Sequence, residues 1–433
     1  MKKNVLVIGS GGREHALVLK ISQSNSVEKI FCLPGNPGTS KICTNLKIDS
    51  SNHQSIYEFC LAEKIDLVVI GPEQPLVDGL SDFLRERKIN VFGPSKAAAQ
   101  IEASKSFAKQ IMMQANVQTA QYVEFNREQF KNAIDFLKNS KYPLVIKADG
   151  LAAGKGVTIC ENFEQATETL NNIFVENVFG SSGEKIVIEE FLVGDEASVF
   201  AITDGKDFIT LPPAQDHKRV GDNDTGKNTG GMGAYAPTPL IDEKLISKIE
   251  QEIISPVINQ LNQNGIPFIG CLYAGLMITN VGPKVIEFNC RFGDPETQVV
   301  LPLLEGDFLE LLYSAAIGSL NKNAVRYNGG SSVCVVAASK GYPDLYKKGF
   351  EIMGLEISDP EILIYHAGTI EKDGKIFTNG GRVLGVTSVI KENDVLKARE
   401  KAYEALSKIC FDGIYYRSDI ANRVNKYLQK SNL

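Results

Sequence analysis

Residues 5–17 read VLVIGSGGREHAL, an apolar strand pattern that ends in three glycines within four positions and restarts as a helix. Further apolar runs at 29–33, 65–70 and 89–92 are separated by helical stretches, and each ends in glycine or proline. Alternating strands and helices predict a parallel sheet covered by helices. Because such sheets bind ligands at the carboxyl ends of their strands, we expect the glycine and proline loops to line a ligand site.

The glycine turn after the first strand has three interpretations: a dinucleotide fingerprint, a phosphate cradle, or a tight turn without a ligand. The fingerprint G-x-G-x-x-G needs glycine where Glu14 stands, and an acid near the end of the second strand, where CLPGN stands at 32–36. A nicotinamide site is therefore disfavoured. The turn can still present backbone N–H groups and a helix N-terminus to a mononucleotide-sized anion beside Arg13.

Composition excludes several classes of protein. The 433 residues carry a net charge of −6, which disfavours nonspecific nucleic-acid binding. No apolar run has the length of a membrane span, and the run behind Lys2 and Lys3 is too short for a signal peptide. The 8 cysteines include no C-x-x-C pair, which indicates reduced thiols. We expect a cytoplasmic enzyme with no nucleic-acid or membrane partner.

The length predicts several domains of mixed α/β and α+β class. We expect an N-terminal α/β domain over 1–102, a central domain over 103–320 and a small C-terminal α+β domain over 321–433. Predicted central elements include a helix at 163–175 and a hairpin around the NVG turn. Residues 212–237 show no apolar period and predict a long functional or disordered loop.

A glycine-rich segment follows the strand PLVIK, which ends at Lys147. It is not a Walker A loop, because only three residues separate Gly150 from Gly154, and Gly156 stands where Ser or Thr would bind magnesium. Lys147 and Lys155 could neutralise a polyphosphate. The alternative is a flexible surface hairpin.

Two adjacent acids, Glu189 and Glu190, end the apolar strand in IVIEEFLVGDEAS at 186–198. Burial of both acids without partners would be costly. An adenine amino group could donate to an acid or a carbonyl here, and Glu196 could accept from ribose hydroxyls. The alternative is one solvated acid and one salt-bridged acid.

The stretch KVIEFNCRFGDPETQ at 284–298 predicts a strand that carries Glu287, Asn289 and Arg291 on one face. Two hard oxygen ligands followed by a cation suit a magnesium ion that bridges nucleotide phosphates. The alternative is a coincidental charge ladder on an exposed strand.

The order of lysine, glycine-rich loop, double acid and E-x-N strand resembles the ATP-grasp superfamily. Nearly the whole chain is similar to the glycinamide ribonucleotide synthetases, or phosphoribosylamine-glycine ligases, on the motifs GSGGREHAL, KADGLAAGKGV, QDHKRVGDNDTG, NTGGMGAY and RFGDPETQ. The resemblance implies a central ATP-grasp fold with an ATP-binding subdomain at about 120–195. It also implies that ATP, glycine and 5-phosphoribosylamine react through glycyl phosphate to give glycinamide ribonucleotide, ADP and phosphate in purine biosynthesis, with Mg²⁺ or Mn²⁺.

The resemblance further implies four sets of site residues. Those expected at ATP are Lys105, Lys147, Gly154, Lys155, Gly156, Glu189, Glu190, Phe191, Leu192 and Glu196. Those expected at the metal are Glu287 and Asn289. Those expected at glycine or phosphoribosylamine are Gly9, Gly11, Gly12, Arg13, Asn36, Asp216, Lys218, Arg291 and Gly293, with residues 379–382 closing the pocket. Those expected in catalysis are Lys155, Arg291 and Asp294.

The chain departs from the wider superfamily at 273–279, which offers no further metal-binding acid, so we expect a metal held largely by ATP oxygens and water. No general base is evident. We interpret His217 as structural or solvent-facing, and His15 as a capping or packing residue with phosphate contact as the alternative. Three alternatives stay open: a carboxylase or formate-using ligase of the same route, an ATP-binding regulatory module, and an oxidoreductase. We expect a monomer or a weak dimer.

Overall fold

The computed structural model describes residues 2–152 and 155–430. The N-terminal region is a five-stranded sheet in which every neighbouring pair is parallel. In order across the sheet, the strands are Thr44–Asn45, Val27–Pro34, Lys3–Gly9, Leu67–Ile70 and Val91–Phe92. The helices of this region are Gly12–Ser22, His53–Ala62, Glu73–Asp78, Leu80–Glu86 and Gln100–Ala103. The predicted parallel α/β domain is confirmed, and its glycine loops share one edge of the sheet.

A small lobe follows in the central region. Its antiparallel strands, in order across the sheet, are Tyr122–Asn126, Lys185–Glu190, Leu144–Ala148 and Val157–Cys160. Its helices are Phe130–Lys138 and Phe163–Phe174. The second helix was predicted, and Asn162 caps it by accepting from the Gln165 N–H at 3.0 Å. The lobe has its own hydrophobic core, to which Ile146, Leu170 and Ile188 belong.

The rest of the central region holds a second antiparallel sheet. Its strands, in order, are Phe208–Thr210, Asp195–Asp204, Ile269–Thr279 and Gly282–Asn289, of which the last two form the predicted hairpin. The helices are Lys105–Gln114, Glu243–Ile249, Ser255–Gln263, Glu296–Val300 and Phe308–Ala316, with a π-helical turn at Glu250–Ile254. A short strand pair joins Leu304–Gly306 to Val325–Tyr327. Leu6 and Val68 of the N-terminal sheet share one core with Ala274 and Leu276, so the two sheets form one packed body.

The C-terminal region contains a six-stranded sheet. Its strands are Gln215–Asp216, Gly233–Ala236, Ser331–Ser339, Arg382–Ile390 and Ile362–His366, and Ile414–Tyr415 also pairs with Ser331–Ser339. A hairpin of Thr369–Lys372 and Lys375–Thr378 turns on Asp373 and Gly374, both at positive φ. The helices are Val395–Leu406 and Val424–Lys430.

The prediction of a long irregular loop at 212–237 is wrong. Gln215–Asp216 and Gly233–Ala236 are strands of the C-terminal sheet, and Arg219–Gly221 pairs with Thr225–Asn228. These strands have two to four residues each, too few to show an alternating pattern.

Single turns of 3₁₀ helix connect several elements, at Thr39–Lys41, Arg127–Gln129, Gly180–Gly183, Asp222–Asp224 and Leu301–Leu303. Within the described part of the chain, no helix has both the length and the apolar character needed to cross a bilayer.

Candidate active site

Glu287 and Asn289 lie two residues apart near the end of the strand Gly282–Asn289. In the hairpin, Glu287 is opposite Gly275 and Asn289 is opposite Tyr273. The strand register shifts between Gly275 and Leu276, which leaves Ile286 outside the pairing. The Ile286 carbonyl instead accepts a hydrogen bond from Lys147 Nζ at 3.2 Å. The irregularity thus joins the small lobe to the strand that carries both oxygen ligands.

Lysines surround the Glu287 carboxylate. Lys218 Nζ lies 3.6 Å from Glu287 Oε1 and 3.2 Å from Glu196 Oε2. Burial alone would raise the pKa of Glu287, but Lys218, then Lys147 and Lys105, hold that pKa below its usual value. An ionised carboxylate beside a carboxamide is a donor set that fits a hard divalent cation. Among the described residues no three His, Cys, Asp or Glu side chains cluster as a metal site, so this donor set consists of one carboxylate and one carboxamide.

Glu189 is buried between two lysines. Its carboxylate oxygens lie 2.7 Å from Lys147 Nζ and 2.9 Å from Lys109 Nζ, and it is 5% exposed. Glu190 is half-exposed and accepts from Lys284 Nζ at 3.1 Å. Both acids are therefore salt-bridged, so the alternative of one solvated and one salt-bridged acid holds only in that Glu190 is the more exposed of the two. Contact of either side chain with adenine stays a prediction.

Lys105 begins a helix and contacts the start of the glycine-rich segment. Its Nζ donates to the Gly150 carbonyl at 3.1 Å, and the Asp149 carboxylate accepts from the Ser106 N–H at 2.7 Å. Burial lowers the pKa of Lys105, Lys147 lowers it further, and Glu287 opposes the shift. Lys105, Lys147 and Glu287 are therefore close enough to interact electrostatically.

The glycine-rich segment is placed in part. Gly154 lies outside the described residues. Lys155 is exposed, and Gly156 is buried with its carbonyl accepting from the Ala148 N–H at 2.8 Å. Contact of these residues with phosphate stays a prediction.

Apolar side chains follow the strand that carries Glu189. Phe191 is 37% exposed, Val193 is 77% exposed, and Leu192 between them is half-buried. Together they leave an uncovered apolar surface next to Glu196, which pairs with Lys218. Such a surface suits the face of a purine ring.

The glycine turn after the first strand encloses a carboxylate. A Cβ at Gly9 or at Gly71 would collide with the Glu14 side chain. Glu14 Oε2 accepts from the Gly11 N–H at 2.6 Å, and Glu14 Oε1 lies 2.6 Å from Arg13 Nε. Glu14 occupies the position of the third glycine of a dinucleotide fingerprint, which allows close packing of the helix against the strand, and its side chain instead fills the space beside Gly9 and Gly71, which disfavours a nicotinamide site.

The turn meets the RFGDPETQ segment. Arg13 donates to the Phe292 carbonyl at 3.1 Å, and a Cβ at Gly12 would lie 2.7 Å from Gln298 Nε2. Asp294 accepts from Gln298 Nε2 at 2.9 Å and lies 3.2 Å from Arg382 NH1. Burial would raise the pKa of Asp294, but Arg382 and Arg13 lower it. The structure therefore brings the GSGGREHAL and RFGDPETQ motifs together with Arg382.

The side chain of Asn36 hydrogen-bonds backbone groups of the protein. Its amide nitrogen donates to the Ser10 carbonyl at 2.8 Å and to the His366 carbonyl at 2.9 Å. Its amide oxygen accepts from the Gly38 and Thr39 N–H groups. These bonds join the second loop to the glycine turn and the C-terminal region, and contact with a ligand stays a prediction.

The alternation predicted that Arg291 continues the strand that carries Glu287 and Asn289, but that strand ends at Asn289. Its NH2 lies 2.8 Å from Glu102 Oε1 and its Nε 3.2 Å from Glu73 Oε2. Glu102 also accepts from the Cys290 N–H at 2.8 Å. The guanidinium is thus held between two carboxylates.

Asp216 and Lys218 flank a buried histidine. Asp216 is 6% exposed, and burial, together with Glu296 and Glu196, raises its pKa to about 7 against the effect of Lys218. His217 is fully buried, and burial lowers its pKa to about 3.

His15 is also buried, and its Nδ1 accepts from the His366 N–H at 2.9 Å. Burial, with a contribution from His366, lowers the pKa of His15 to about 3. His15 and His217 therefore belong to the packed interior.

Four residues of this site escaped the sequence interpretation. Lys109 lies one helical turn after Lys105, a spacing that places both on one face. Glu73 stands in the GPEQP loop at the carboxyl end of a strand, where ligand-site residues are expected. Glu296 belongs to RFGDPETQ itself. Glu102 carried no local signal, because its partner Arg291 is distant in the sequence.

Comparison with known proteins gives matches along almost the whole chain. The N, ATP-grasp (A) and C domains described as phosphoribosylglycinamide synthetase match residues 3–102, 103–297 and 332–423. A phosphoribosylamine-glycine ligase from Caldanaerobacter subterraneus subsp. tengcongensis is 51% identical over 417 residues, which cover 96% of this chain and 99% of that protein. The human trifunctional purine biosynthetic protein adenosine-3 is 46% identical over 435 residues, 99% of this chain but 43% of that protein.

Comparison with solved structures also identifies the fold. The crystal structure of phosphoribosylamine-glycine ligase from Thermotoga maritima matches with a TM-score of 0.84 and 36% identity, over 96% of this chain and 100% of that one. A biotin carboxylase domain from Hydrogenobacter thermophilus matches with a TM-score of 0.73 at 17% identity, over 100% of this chain and 95% of that one, a likeness of fold alone.

Fold and site together define an ATP-grasp enzyme with an N-terminal parallel α/β domain and a C-terminal α+β domain. The chain belongs to the phosphoribosylglycinamide synthetase family.

Proposed function

We propose that this protein is an ATP-dependent ligase that joins glycine to 5-phosphoribosylamine and forms glycinamide ribonucleotide, ADP and phosphate in purine biosynthesis. The observation that carries the proposal is the ionised Glu287 beside Asn289, with Lys105, Lys147 and Lys218 around it. The full-length identity to phosphoribosylamine-glycine ligases supports the choice of substrates.

The first step activates glycine, whose carboxylate is a poor electrophile. A carboxylate oxygen attacks the γ-phosphorus of ATP, the bond to the β-phosphate oxygen breaks, and ADP leaves glycyl phosphate behind. Phosphoryl transfer depends on position and on neutralised charge, which the fixed ammonium groups of Lys105 and Lys147 provide. A magnesium or manganese ion, which Glu287 and Asn289 would hold, supplies further neutralisation of phosphate charge when bound.

The second step forms the amide bond. The amine nitrogen of phosphoribosylamine attacks the carbonyl carbon, phosphate leaves with an oxygen that came from glycine, and the nitrogen loses a proton. Arg291 steadies the glycyl carboxylate or the phosphoryl group, and Asp294 faces the glycine turn beside it. No general base is needed if the amine arrives neutral.

The remaining assignments follow the motifs of the family. Lys155 with Gly154 and Gly156 covers the phosphates of ATP. Phe191 and Leu192 hold adenine beside Glu189 and Glu190, and Glu196 takes the ribose. The residues proposed to hold glycine or phosphoribosylamine are Gly9, Gly11, Gly12, Arg13, Asn36, Asp216, Lys218 and Gly293, with residues 379–382 closing the pocket.

ADP formation with glycine and phosphoribosylamine tests the function. Wild-type protein loaded with magnesium forms ADP only when glycine is present, and bicarbonate or formate does not replace it. Glu287→Gln combined with Asn289→Leu abolishes turnover, whereas Glu305→Gln, at an exposed pair with Arg326, does not.

Two results would contradict the proposal. Unchanged turnover in the double variant would remove the proposed metal site. ATP binding without turnover in the wild type would favour a regulatory module.

Two further assignments concern the whole protein. We expect it in the cytoplasm, in keeping with its 8 cysteines, which are all free. We also expect a monomer or a weak dimer, which sedimentation velocity would measure.

A further inference from the structure

We infer that Glu296 receives the ammonium group of the substrate glycine and forms, with Arg291, the two poles of a site for the amino-acid zwitterion. This assignment rests on the proposed function and adds a specificity residue to it.

The Glu296 carboxylate is buried and fixed in orientation. The residue is 3% exposed, and its Oε1 accepts from Tyr273 OH at 2.9 Å and from Ser198 Oγ at 3.1 Å. The two hydroxyls lie 2.8 Å from each other. Both therefore hold one oxygen of the carboxylate and leave the other, Oε2, for a different partner.

A gap next to Oε2 exists because residue 293 is glycine. A Cβ at Gly293 would lie 2.6 Å from Glu296 Oε2 and 3.1 Å from Tyr273 Cε2. Gly293 has no positive φ, so the requirement for glycine is steric and not conformational. Any side chain at 293 would occupy the space in front of the carboxylate.

Glu296 interacts with Arg291 and Arg382 only at longer range than an ion pair. In the part of the chain that the structure describes, no lysine, arginine or histidine forms an ion pair with it. The nearby Lys218 already contacts Glu196 and Glu287. A buried carboxylate without a cation is costly, and a cationic ligand removes that cost.

A second buried acid, Asp216, lies near Glu296. Asp216 is nine-tenths buried, and Glu296 and Glu196 both contribute to the upward shift of its pKa. Two buried acids therefore share a region in which one ammonium, that of Lys218, is already engaged. Arg423 also acts on Asp216, and Arg291 and Arg382 interact with Glu296 at longer range, so the place for a small cation is the uncovered Oε2 of Glu296 and not a general excess of negative charge.

The second pole of the proposed site is Arg291, which lies on the other side of Gly293 in the sequence. Arg291 is two residues before Gly293, and Glu296 is three residues after it. Two carboxylates hold the guanidinium in place. Glycine carries its carboxylate and its ammonium on one carbon, so its site needs a cation and an anion a few ångströms apart. Arg291 and Glu296 are close enough to interact electrostatically, and the segment between them carries no side chain at 293.

Steady-state kinetics with glycine and with glycolate tests the assignment on the full chain. Glycolate keeps the carboxylate and replaces the ammonium with a hydroxyl. Glu296→Gln is expected to raise the KM for glycine about tenfold to a hundredfold and to leave the KM for ATP within about twofold. The preference for glycine over glycolate in kcat/KM is expected to fall by a similar factor.

The preference is a ratio within each variant, so it does not depend on the fraction of folded protein. Gly293→Ala, which fills the gap, is expected to raise the KM for glycine as well. Glu305→Gln at the exposed pair with Arg326 is the matched control and keeps the wild-type ratio.

An unchanged preference in Glu296→Gln would overturn this assignment and leave the ligase function standing. Absence of glycine-dependent ADP formation in the wild type would overturn both.

Discussion

Glu189 gives Lys147 a fixed position, because the same carboxylate binds Lys109 on its other side. All three side chains are at most 5% exposed. An ammonium that is held in place by a buried partner loses little conformational entropy when a phosphate arrives, which is the advantage of a preorganised site. Glu189 therefore acts on ATP through Lys147, whichever group binds adenine.

Replacement of Glu189 by Gln should weaken both ATP binding and the small lobe. Two buried ammonium groups lose their partner, which is expected to lower the free energy of unfolding by about 3 kcal/mol and to raise the KM for ATP about tenfold. Urea denaturation and initial rates measure the two effects. Glu124→Gln, on the neighbouring strand with an exposed Lys185 contact at 3.8 Å, is the control and should change stability by less than about 1 kcal/mol. Equal effects of the two substitutions would contradict the role of Glu189.

At the scale of elements, the Glu14 side chain shapes the glycine turn. Gly9 and Gly71 leave room for its side chain, and its carboxylate accepts from the Gly11 N–H group. The turn joins the first strand to its helix and faces Asp294. The position of this carboxylate therefore fixes the edge of the site.

Gly71→Ala tests this packing. The added Cβ would meet Glu14, so we expect a loss of about 2 kcal/mol in the free energy of unfolding. Combined with Glu14→Ala, the same substitution should cost clearly less, because the clash is removed. A double-mutant cycle measures the coupling, and strict additivity would argue against contact between the two positions.

Local patterns predicted the elements that depend on nearby residues. The hairpin Ile269–Thr279 with Gly282–Asn289 and the pair of Glu287 and Asn289 on one face follow from strand alternation and a short turn. The pairing of Gly233–Ala236 with Ser331–Ser339 joins distant segments, and no periodicity in a four-residue strand indicates it.

The same distinction holds within the site. Lys147 and Glu287 were predicted from their motifs, because each stands at the end of a patterned strand. Glu102 and Lys109 matter through the partners that folding brings to them, Arg291 and Glu189. Their roles follow from tertiary contacts, which a single sequence does not display.

At the scale of the whole molecule, three histidines are buried without charge. Burial lowers the pKa of His15 and His217 to about 3 and that of His366 to about 4. In the unfolded chain their pKa returns to about 6.5, so the unfolded state binds more protons at mildly acidic pH. Their contribution to stability is complete above about pH 6.5 and is lost as the pH falls from there toward the folded pKa values of about 3 to 4.

Proton uptake on unfolding measures this linkage. At pH 6 in unbuffered guanidinium chloride, the three histidines should take up about two protons per chain, and Asp216, whose folded pKa of about 7 falls to about 4 on unfolding, should release about one, so the net uptake should be about one proton. The same measurement at pH 8 is the control, because histidine is neutral there in both states. A net release of protons at pH 6 would show that the buried rings are already charged in the folded protein.

The most direct test of the ligase reaction follows an oxygen atom. When glycine labelled with ¹⁸O in both carboxylate positions reacts with ATP and phosphoribosylamine, one labelled oxygen per turnover should appear in the inorganic phosphate, because glycyl phosphate breaks at its carbonyl carbon. Mass spectrometry of the phosphate reads the result. Phosphate without ¹⁸O would contradict the reaction proposed for this site.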